Sequence, residues 1–313
     1  MRLVTFAVDS ETRLGLQVQG RIVDLKEAYS ALLGPAADVG GREEAARLFP
    51  PDMVAFLSTG EVGMQAARRV EEAVLGGNSL VQGPSIARPE GQVRLLAPVP
   101  APTKVVCIGL NYRDHCEENN KPIPDRPIIF AKFPTAVIGP GQPIVKPRLT
   151  NQLDYEAELA VVVGRHGRHV SIEDAPNHIA GYTIAHDVSA RDIQFGDGQW
   201  VRGKTFDTFC PMGPAIVTPD EVGDPHNLAI RAVVNGQVMQ DSNTRHLIFN
   251  CYYLISYLSE VFTLQPGDCI LTGTPGGVGA FREPPVWLQP GDVVTIEIEK
   301  LGSLTNPVVE EQA

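Results

Sequence analysis

The stretch that most constrains the fold is QLDYEAELAVVVG, residues 152–164, where acidic residues lead directly into an apolar run. The run ELAVVV is rich in β-branched residues and predicts a buried strand. Side chains alternate faces along a strand, so Asp154, Glu156 and Glu158 would share one face at spacings of about 7 Å. Their repulsion is roughly 2 kcal/mol per pair at an effective dielectric of about 20. A divalent cation, an arginine or lysine cluster, or solvent on an exposed face would offset it.

Short strands dominate the pattern from Pro127 onward, with one helix among them. The strand segments are IIFAK, ELAVVV, HIAGYTIAHDVS, PAIVT, LAIRAVVNG, DCILTG and VVTIEIEKLG, and the helix is NCYYLISYLSEVF. Residues 3–8, 14–18 and 21–25 predict a strand meander, and helices follow in DMVAFLSTG and VGMQAARRVEEAVLGG. The predicted fold class is therefore α+β with a largely antiparallel or mixed core.

The prolines of PVPAPTK, residues 98–104, interrupt regular structure because proline fixes φ and lacks a backbone donor. We place a domain boundary there. A chain of 313 residues is long enough for a main domain with a smaller companion. The prediction is a small N-terminal α+β domain over residues 1–97 and a larger domain over residues 98–313 that contains the clustered polar motifs.

Charge and cysteine usage limit the partners and the compartment. The formal net charge of −11 disfavours binding to nucleic acid or to an anionic membrane surface. No apolar run approaches the roughly 20 residues that cross a bilayer. The five cysteines lack metal-ligand spacing, and their odd number excludes complete intrachain pairing. This usage fits an intracellular, reducing compartment: the cytoplasm or, if a transit peptide has been removed, the mitochondrial matrix.

A second acidic position follows the next strand segment. Asp187 ends HIAGYTIAHD, where an apolar element meets a loop. Together, Glu156, Glu158 and Asp187 would make a hard-oxygen site suited to Mg²⁺, Mn²⁺ or Ca²⁺. His186 would point to the opposite face from Asp187, so the two should not bind one ion. The alternative is a solvated strand face with a turn-forming aspartate.

Three further motifs could carry chemistry. His115 and Glu118 are three residues apart in DHCEEN, so one helical turn would bring them together and make His115 a general base. Lys204 in GKTFDTF could face an anionic oxygen such as that of an enolate. Thr274 in LTGTPGGVG could offer hydroxyl and amide groups to a ligand carboxylate, in a loop without the Walker lysine. A solvated helix tip and a surface lysine are the alternatives.

Five motifs occur in the order found in the fumarylacetoacetate hydrolase family, which the chain resembles from about residue 98 to about residue 309: NYRDHCEE, DYEAELAVV, AHDVSARDIQ, GKTFDTF and LTGTPGGVG. The resemblance implies a mixed β-roll core that forms a homodimer. It also implies that Mg²⁺ or Mn²⁺ is bound by Glu156, Glu158 and Asp187. Asp154 matches no metal ligand of the family, and we expect it to support the ligands or the structure.

The resemblance implies roles for the other candidates as well. His115 and Glu118 match a catalytic dyad on a segment that orders over the substrate, and Lys204 matches a lysine that stabilises the enolate. By position, Gln194 in SARDIQ and Thr274 match residues that contact the ligand. In the family, a 2-oxo acid chelates the metal through its carboxylate and keto oxygens, which acidifies the adjacent carbon.

One loop differs from that of the family's hydrolases. In those hydrolases, the loop that precedes the catalytic histidine supplies a further carboxylate ligand to the metal. This chain reads Gly109, Leu110, Asn111, Tyr112 there, without an acid. Related oxaloacetate decarboxylases often carry arginine at the Leu110 position. The resemblance therefore favours keto–enol tautomerisation of a small 2-oxo dicarboxylate such as oxaloacetate. The alternatives are C–C hydrolysis of an acylpyruvate, decarboxylation of oxaloacetate, and metal-dependent oxo-acid binding without catalysis.

Overall fold

The computed structural model describes residues 1–34 and 39–312. Strands dominate it, and in chain order they are β1 (Arg2–Val8), β2 (Glu11–Val18), β3 (Arg21–Asp24), β4 (Ala87–Pro89), β5 (Arg94–Leu95), β6 (Val105–Gly109), β7 (Ile128–Lys132), β8 (Val137–Ile138), β9 (Ile144–Lys146), β10 (Leu153–Asp154), β11 (Ala157–Val163), β12 (Ile179–His186), β13 (Ser189–Ala190), β14 (Cys210–Val217), β15 (Ala229–Val234), β16 (Gln237–Asn243), β17 (Cys269–Leu271), β18 (Val293–Ile298) and β19 (Gly302–Glu310).

The α-helices are short apart from one in the N-terminal part of the chain. They are α1 (Leu25–Leu33), α2 (Val39–Leu48), α3 (Met53–Ser58), α4 (Glu61–Leu75), α5 (Arg113–Glu118), α6 (Arg191–Gly196), α7 (Val201–Lys204), α8 (Pro219–Val222) and α9 (Cys251–Ser259).

The strands form a large mixed sheet, a five-stranded sheet and a two-stranded ribbon of β10 and β13. The large sheet runs β4–β3–β2–β1–β14–β12–β11–β17–β6–β7, with β5 beside β1 and β8 beside β14. Most of its pairs are antiparallel, but β6 with β17 and β8 with β14 are parallel. The five-stranded sheet runs β16–β15–β18–β19–β9. The predicted α+β class with a mixed core is confirmed.

Strand β11 is buried on both faces, which positions the acids at its start. Leu159, Val161 and Val163 belong to an apolar core that also contains side chains of β15, β18 and α9. Ala160 and Val162, on the other face, belong to a second core with side chains of the N-terminal helices. A strand covered on both faces carries a continuous apolar run, which explains the sequence ELAVVV.

The N-terminal strands are continuous with the large sheet. Strand β1 pairs antiparallel with β14, with Leu3 opposite Ile216. The N-terminal ammonium of Met1 donates a hydrogen bond to Thr218 Oγ1 at 2.8 Å. The second apolar core draws residues from both sides of the division predicted near residue 98. The division into two domains stays a prediction. The two predicted domains contribute strands to one sheet.

The sequence patterns did not predict several short helices. The expectation of a single helix after Pro127 is wrong, because α6, α7 and α8 also lie there. Each of them has only four to six residues, too few to display helical periodicity. Helix α9, in contrast, confirms the longer helix predicted in NCYYLISYLSEVF.

The five cysteines of the chain are free and buried. Burial raises the pKa of the Cys210 and Cys251 thiols to about 12, so both stay protonated at neutral pH. None of the helices in the described part of the chain has the length and apolar character that a bilayer span requires.

The approach of β12 to β14 depends on Gly181. A Cβ at this position would lie 2.4 Å from the Val217 carbonyl oxygen and 2.7 Å from Ile216 Cγ2. We expect Gly181→Ala to lower the free energy of unfolding by roughly 1–3 kcal/mol, because the strands would have to separate. The midpoint of urea unfolding measures the effect.

The matched control is Gly91→Ala, where no described atom lies within 4 Å of an added Cβ. This control should change the free energy of unfolding by less than about 0.5 kcal/mol. Equal midpoints for the two variants would contradict the close approach of the strands.

Candidate active site

The candidate site lies at the ends of four neighbouring strands of the large sheet. Strands β6, β12 and β17 end there, and antiparallel β11 begins there. The backbone N–H of Asp187 donates to the Glu156 carbonyl oxygen at 3.0 Å, so the end of β12 lies against the start of β11. This pairing brings together acids that are about thirty residues apart in the sequence.

Glu156, Glu158 and Asp187 form a buried acidic triad. Each offers a carboxylate oxygen, and the three oxygens lie within 4.8 Å of one another. The residues are 4%, 1% and 0% exposed, so the alternative of a solvated strand face is wrong. Burial and the negative charges of Asp187 and Glu156 raise the pKa of Glu158 well above its usual range. Such a cluster requires positive charge nearby.

Two buried lysines supply part of that charge. Lys204 Nζ donates to Glu156 Oε2 at 2.7 Å and to Asp187 Oδ2 at 2.9 Å. Burial opposes the charge of Lys204, but Asp187 and Glu156 outweigh it and raise the pKa of the ammonium. Lys132 Nζ lies 2.6 Å from Asp187 Oδ1 and donates to the Val188 carbonyl at 3.0 Å.

One oxygen of the triad is held by an ion pair alone. Asp187 Oδ1 lies 2.6 Å from Lys132 Nζ but has no hydrogen-bond partner in the described part of the chain. A buried carboxylate oxygen without a hydrogen bond is uncommon. Three carboxylate oxygens within 4.8 Å of one another, one of them without a hydrogen bond, fit a divalent cation.

Arg191 explains why Asp154 is buried next to the triad. Its Nε donates to Asp154 Oδ2 at 2.7 Å, its Nη2 to Glu156 Oε1 at 2.6 Å and its Nη1 to Gln194 Oε1 at 2.9 Å. Asp154 also accepts from the Gly279 N–H at 2.7 Å. Asp154 therefore stands outside the triad and connects the guanidinium to the loop after β17.

His115 and Glu118 form a contact within α5, the short helix predicted in this segment. His115 Nδ1 lies 2.8 Å from Glu118 Oε1, and Glu118 Oε2 accepts from the Gly277 N–H at 2.6 Å. A carboxylate beside Nδ1 favours the tautomer with the proton on that nitrogen, which leaves Nε2 able to accept a proton. The loop around Gly277 thus orients Glu118, and Glu118 orients the histidine.

A cavity of about 310 Å³ joins these groups, and its size suits a small ligand. Its lining includes the predicted site residues His115, Glu156, Glu158, Gln194, Lys204 and Thr274, with apolar walls from Ile108, Leu110, Phe130, Phe195, Trp200 and Phe281. The other two predicted residues are in direct contact with this set, Asp187 through the triad and Glu118 through the imidazole. The structure therefore brings together all eight residues that the sequence singled out.

Sequence reasoning missed two buried cations of this site, Arg191 and Lys132. Arg191 precedes Gln194 by three residues, and recognition of α6 would have placed both on one helix face. Lys132 ends the strand segment IIFAK, and a lysine at a strand end ordinarily reaches solvent. Only the three-dimensional structure shows that Lys132 turns towards Asp187.

Known proteins are similar to this chain along its length. The profile described as fumarylacetoacetate (FAA) hydrolase C-terminal matches residues 104–309. The mitochondrial oxaloacetate tautomerase fahd2 of Xenopus laevis is 47% identical over 315 residues, which cover 99% of this chain and 90% of that protein. Fumarylacetoacetate hydrolase domain-containing protein 2 of Pongo abelii is 50% identical over 262 residues, which cover 83% of this chain and 80% of that protein.

A solved structure shows the same architecture. The crystal structure of 5-carboxymethyl-2-hydroxymuconate delta-isomerase from Mycobacterium smegmatis matches with a TM-score of 0.74 and 36% sequence identity. The match covers 100% of both chains, so the N-terminal part of the fold is shared as well.

The role of the Arg191 guanidinium can be tested by substitution. Arg191→Met would leave the carboxylates of Asp154 and Glu156 buried without their guanidinium, and an uncompensated buried charge costs about 3–5 kcal/mol. We expect the free energy of unfolding to fall by about this amount. The midpoint of urea unfolding, measured in the presence of chelator, reports the change. Arg191→Lys keeps the positive charge but loses the planar guanidinium. Its unfolding midpoint should lie between those of the wild type and Arg191→Met.

A second substitution distinguishes lost charge pairing from lost packing. Asp154→Asn should recover part of the stability when it is combined with Arg191→Met, because it removes the charge of Asp154, whereas Glu156 keeps its ion pair with Lys204. If Arg191→Met unfolds at the wild-type midpoint, the guanidinium does not carry the role assigned to it.

Proposed function

Because this chain belongs to the fumarylacetoacetate hydrolase family, we propose that it is a metal-dependent enzyme that interconverts the keto and enol forms of a small 2-oxo dicarboxylate, most simply oxaloacetate. The membership predicted from five ordered motifs is confirmed. The observation that carries the proposal is that the acidic triad and the histidine dyad meet at one small cavity. The Xenopus laevis relative, named an oxaloacetate tautomerase, supports the choice of substrate.

Glu156, Glu158 and Asp187 would hold the divalent cation, for which Mg²⁺ or Mn²⁺ suits the oxygen donors and Ca²⁺ is an alternative. The lack of a hydrogen bond to Asp187 Oδ1 in the described part of the chain and the raised pKa of Glu158 support this fit. When bound, such an ion supplies Lewis-acid polarisation of a substrate carbonyl.

The side chains of this chain supply the proton transfer. His115 Nε2 would take a proton from the carbon next to the keto group, and Glu118 would keep the imidazole oriented during the transfer. The enolate oxygen would lie near Lys204, which stays charged between Glu156 and Asp187 and stabilises negative charge. Protonation of that oxygen yields the enol, and the reverse path restores the keto form without gain or loss of atoms.

Tautomerisation needs only these groups, whereas the competing reactions need more. The loop Gly109–Tyr112 has no carboxylate that could join the acidic triad around a cation, as the carboxylate of the family's hydrolases does. Leu110 adds an apolar wall at the position where related decarboxylases often carry arginine. Gln194 and Thr274, on the lining of the same cavity, would hold the substrate.

The proposal extends to assembly and compartment. The large sheet ends at β7, where Ile129 is 41% and the adjoining Phe133 is 56% exposed. Exposed apolar side chains at a sheet edge suit a second copy of the chain, so we expect a homodimer. The Xenopus laevis relative is named as mitochondrial, and the five free cysteines fit a reducing matrix of that kind.

The activity is tested by following the enol absorbance of oxaloacetate and the release of pyruvate in parallel. With Mg²⁺, the protein should accelerate enol loss without matching pyruvate release, and a chelator should abolish the acceleration. We expect His115→Ala to lower kcat by roughly 10²–10⁴-fold, the usual contribution of a general base. Glu156→Ala should remove the metal-dependent rate.

The matched control is His169→Ala, since the His169 side chain is 61% exposed and lies outside the cavity lining. Its rate should equal that of the wild type. Pyruvate release at the rate of enol loss would identify a decarboxylase, and cleavage of an acylpyruvate would identify a hydrolase. Unchanged rates in both His115→Ala and Glu156→Ala would show that the assigned roles are wrong.

Metal binding is measured separately by calorimetry with Mn²⁺. Glu158→Gln and Asp187→Asn should each weaken the affinity by at least roughly 10–100-fold, the range found even for residues that only orient metal ligands. Asp192→Asn is the control, because the Asp192 carboxylate is exposed and accepts from Thr150 Oγ1 at 2.6 Å. Equal affinities in all three variants would locate the ion elsewhere.

A further inference from the structure

One buried amide connects the two halves of the site. Gln240, on β16, is 1% exposed. Its Oε1 accepts from the Ala157 N–H at 2.9 Å, and its Nε2 donates to Thr274 Oγ1 and to the Pro275 carbonyl oxygen, both at 2.8 Å. No sequence motif marks Gln240, since its partners lie 34 or more residues away in the chain.

The partners determine which way the amide points. A backbone N–H can only donate, so the oxygen of Gln240 must face Ala157. A carbonyl oxygen can only accept, so the nitrogen must face Pro275 and, with it, Thr274. Three hydrogen bonds therefore agree on a single orientation, and each polar atom of the buried amide has a partner.

This orientation has a consequence for the threonine hydroxyl. Because Thr274 Oγ1 accepts from Gln240, the single hydroxyl proton must point away from the amide. Thr274 is 4% exposed and lines the cavity, so that proton is available to an acceptor inside the cavity. A carboxylate accepts without donating and matches such a fixed donor.

The other end of the amide reaches the metal-binding strand. Ala157 lies between Glu156 and Glu158, at the residue where β11 begins. The same side chain therefore ties the acidic triad to the loop that carries Thr274.

We propose that Gln240 is a positioning residue that makes Thr274 an obligate hydrogen-bond donor to a carboxylate of the substrate and sets the place of this donor relative to the acidic triad. This inference rests on the proposed function, because it deepens the assignment of the same cavity. It predicts that ligands with a carboxylate at this position bind tightly and that ligands that must donate a hydrogen bond there bind weakly.

The decisive variant is Gln240→Glu. At a pH where the new carboxyl is ionised, it can still accept from Ala157 but cannot donate, so the Thr274 hydroxyl would turn and donate to it. We expect the KM for oxaloacetate to rise roughly 10–100-fold, the value of a hydrogen bond to a charged group. The kcat should change less than about threefold, since this contact is made in the ground state and the transition state alike. The dissociation constant of oxalate, measured by calorimetry with Mg²⁺, should rise by the same factor.

Gln240→Met separates this role from packing. Methionine fills a similar volume but loses the acceptor for Ala157 as well as both donors, while it leaves the Thr274 hydroxyl free to donate to the ligand. The proposal predicts weaker oxalate binding in Gln240→Glu than in Gln240→Met. A purely structural role predicts that the loss of oxalate affinity follows the loss of thermal stability in both variants and does not depend on the Thr274 hydroxyl. Thermal unfolding of each variant confirms that it is folded.

A double-mutant cycle with Thr274→Val completes the test. Once the hydroxyl is absent, Gln240→Glu should weaken oxalate binding by no more than about twofold further. Thr274→Ser keeps the hydroxyl and should bind oxalate more tightly than Thr274→Val does. Stronger impairment in Gln240→Met than in Gln240→Glu, or a full effect of Gln240→Glu beside Thr274→Val, would overturn the proposal.

The binding data also distinguish failure of this inference from failure of the proposed function. If the wild type binds oxalate, shows the expected order of variants and yet does not tautomerise oxaloacetate, the role of Gln240 stands and the assigned reaction is wrong. If tautomerase activity is present and all Gln240 variants bind oxalate equally, the reaction stands and the role of Gln240 is overturned.

Discussion

Neutralisation of buried negative charge is the constraint on which the site depends. Four carboxylates lie within one buried cluster, and the cations in contact with them are also buried: the acids are Asp154, Glu156, Glu158 and Asp187, and the cations are Lys132, Arg191 and Lys204. Among these seven side chains one negative charge is in excess when all are ionised. Burial, together with the negative charges of Asp187 and Glu156, raises the pKa of Glu158. A divalent cation would turn this excess into one positive charge and would bind Asp187 Oδ1, which lacks a hydrogen bond in the described part of the chain.

The fold places this charged cluster where it can reach a substrate. Glu156, Glu158 and Asp187 lie on or directly beside the buried strands β11 and β12, whereas the side chains that would move protons or contact the ligand come from short helices and the loop after β17. This arrangement places the proton-moving groups above a fixed set of acids, as stabilisation of an enolate requires. Leu110, in the loop after β6, contributes to the lining of the same cavity.

The sequence predicted which residues belong to the site better than it predicted the contacts between them. Spacing along a strand suggested that Asp154, Glu156 and Glu158 are equivalent, but β10 ends at Asp154 and β11 begins at Ala157, so the chain is irregular between them. Asp154 consequently binds Arg191 instead of joining the triad. Gln240 and Lys132 gave no signal, because a glutamine in a β-hairpin and a lysine at a strand end are ordinary surface residues by pattern.

Local rules by themselves determined the α+β class, the burial of ELAVVV and the meeting of His115 with Glu118, since strand alternation and one helical turn act over a few residues. The ordered motifs added the family. Tertiary structure alone decided which cations pair with Asp154, Glu156 and Asp187 and which way the Thr274 hydroxyl points. Coulomb energy and desolvation depend on distances and burial in three dimensions, and hydrogen-bond direction depends on partners remote in the chain, so neither quantity is encoded in a local pattern.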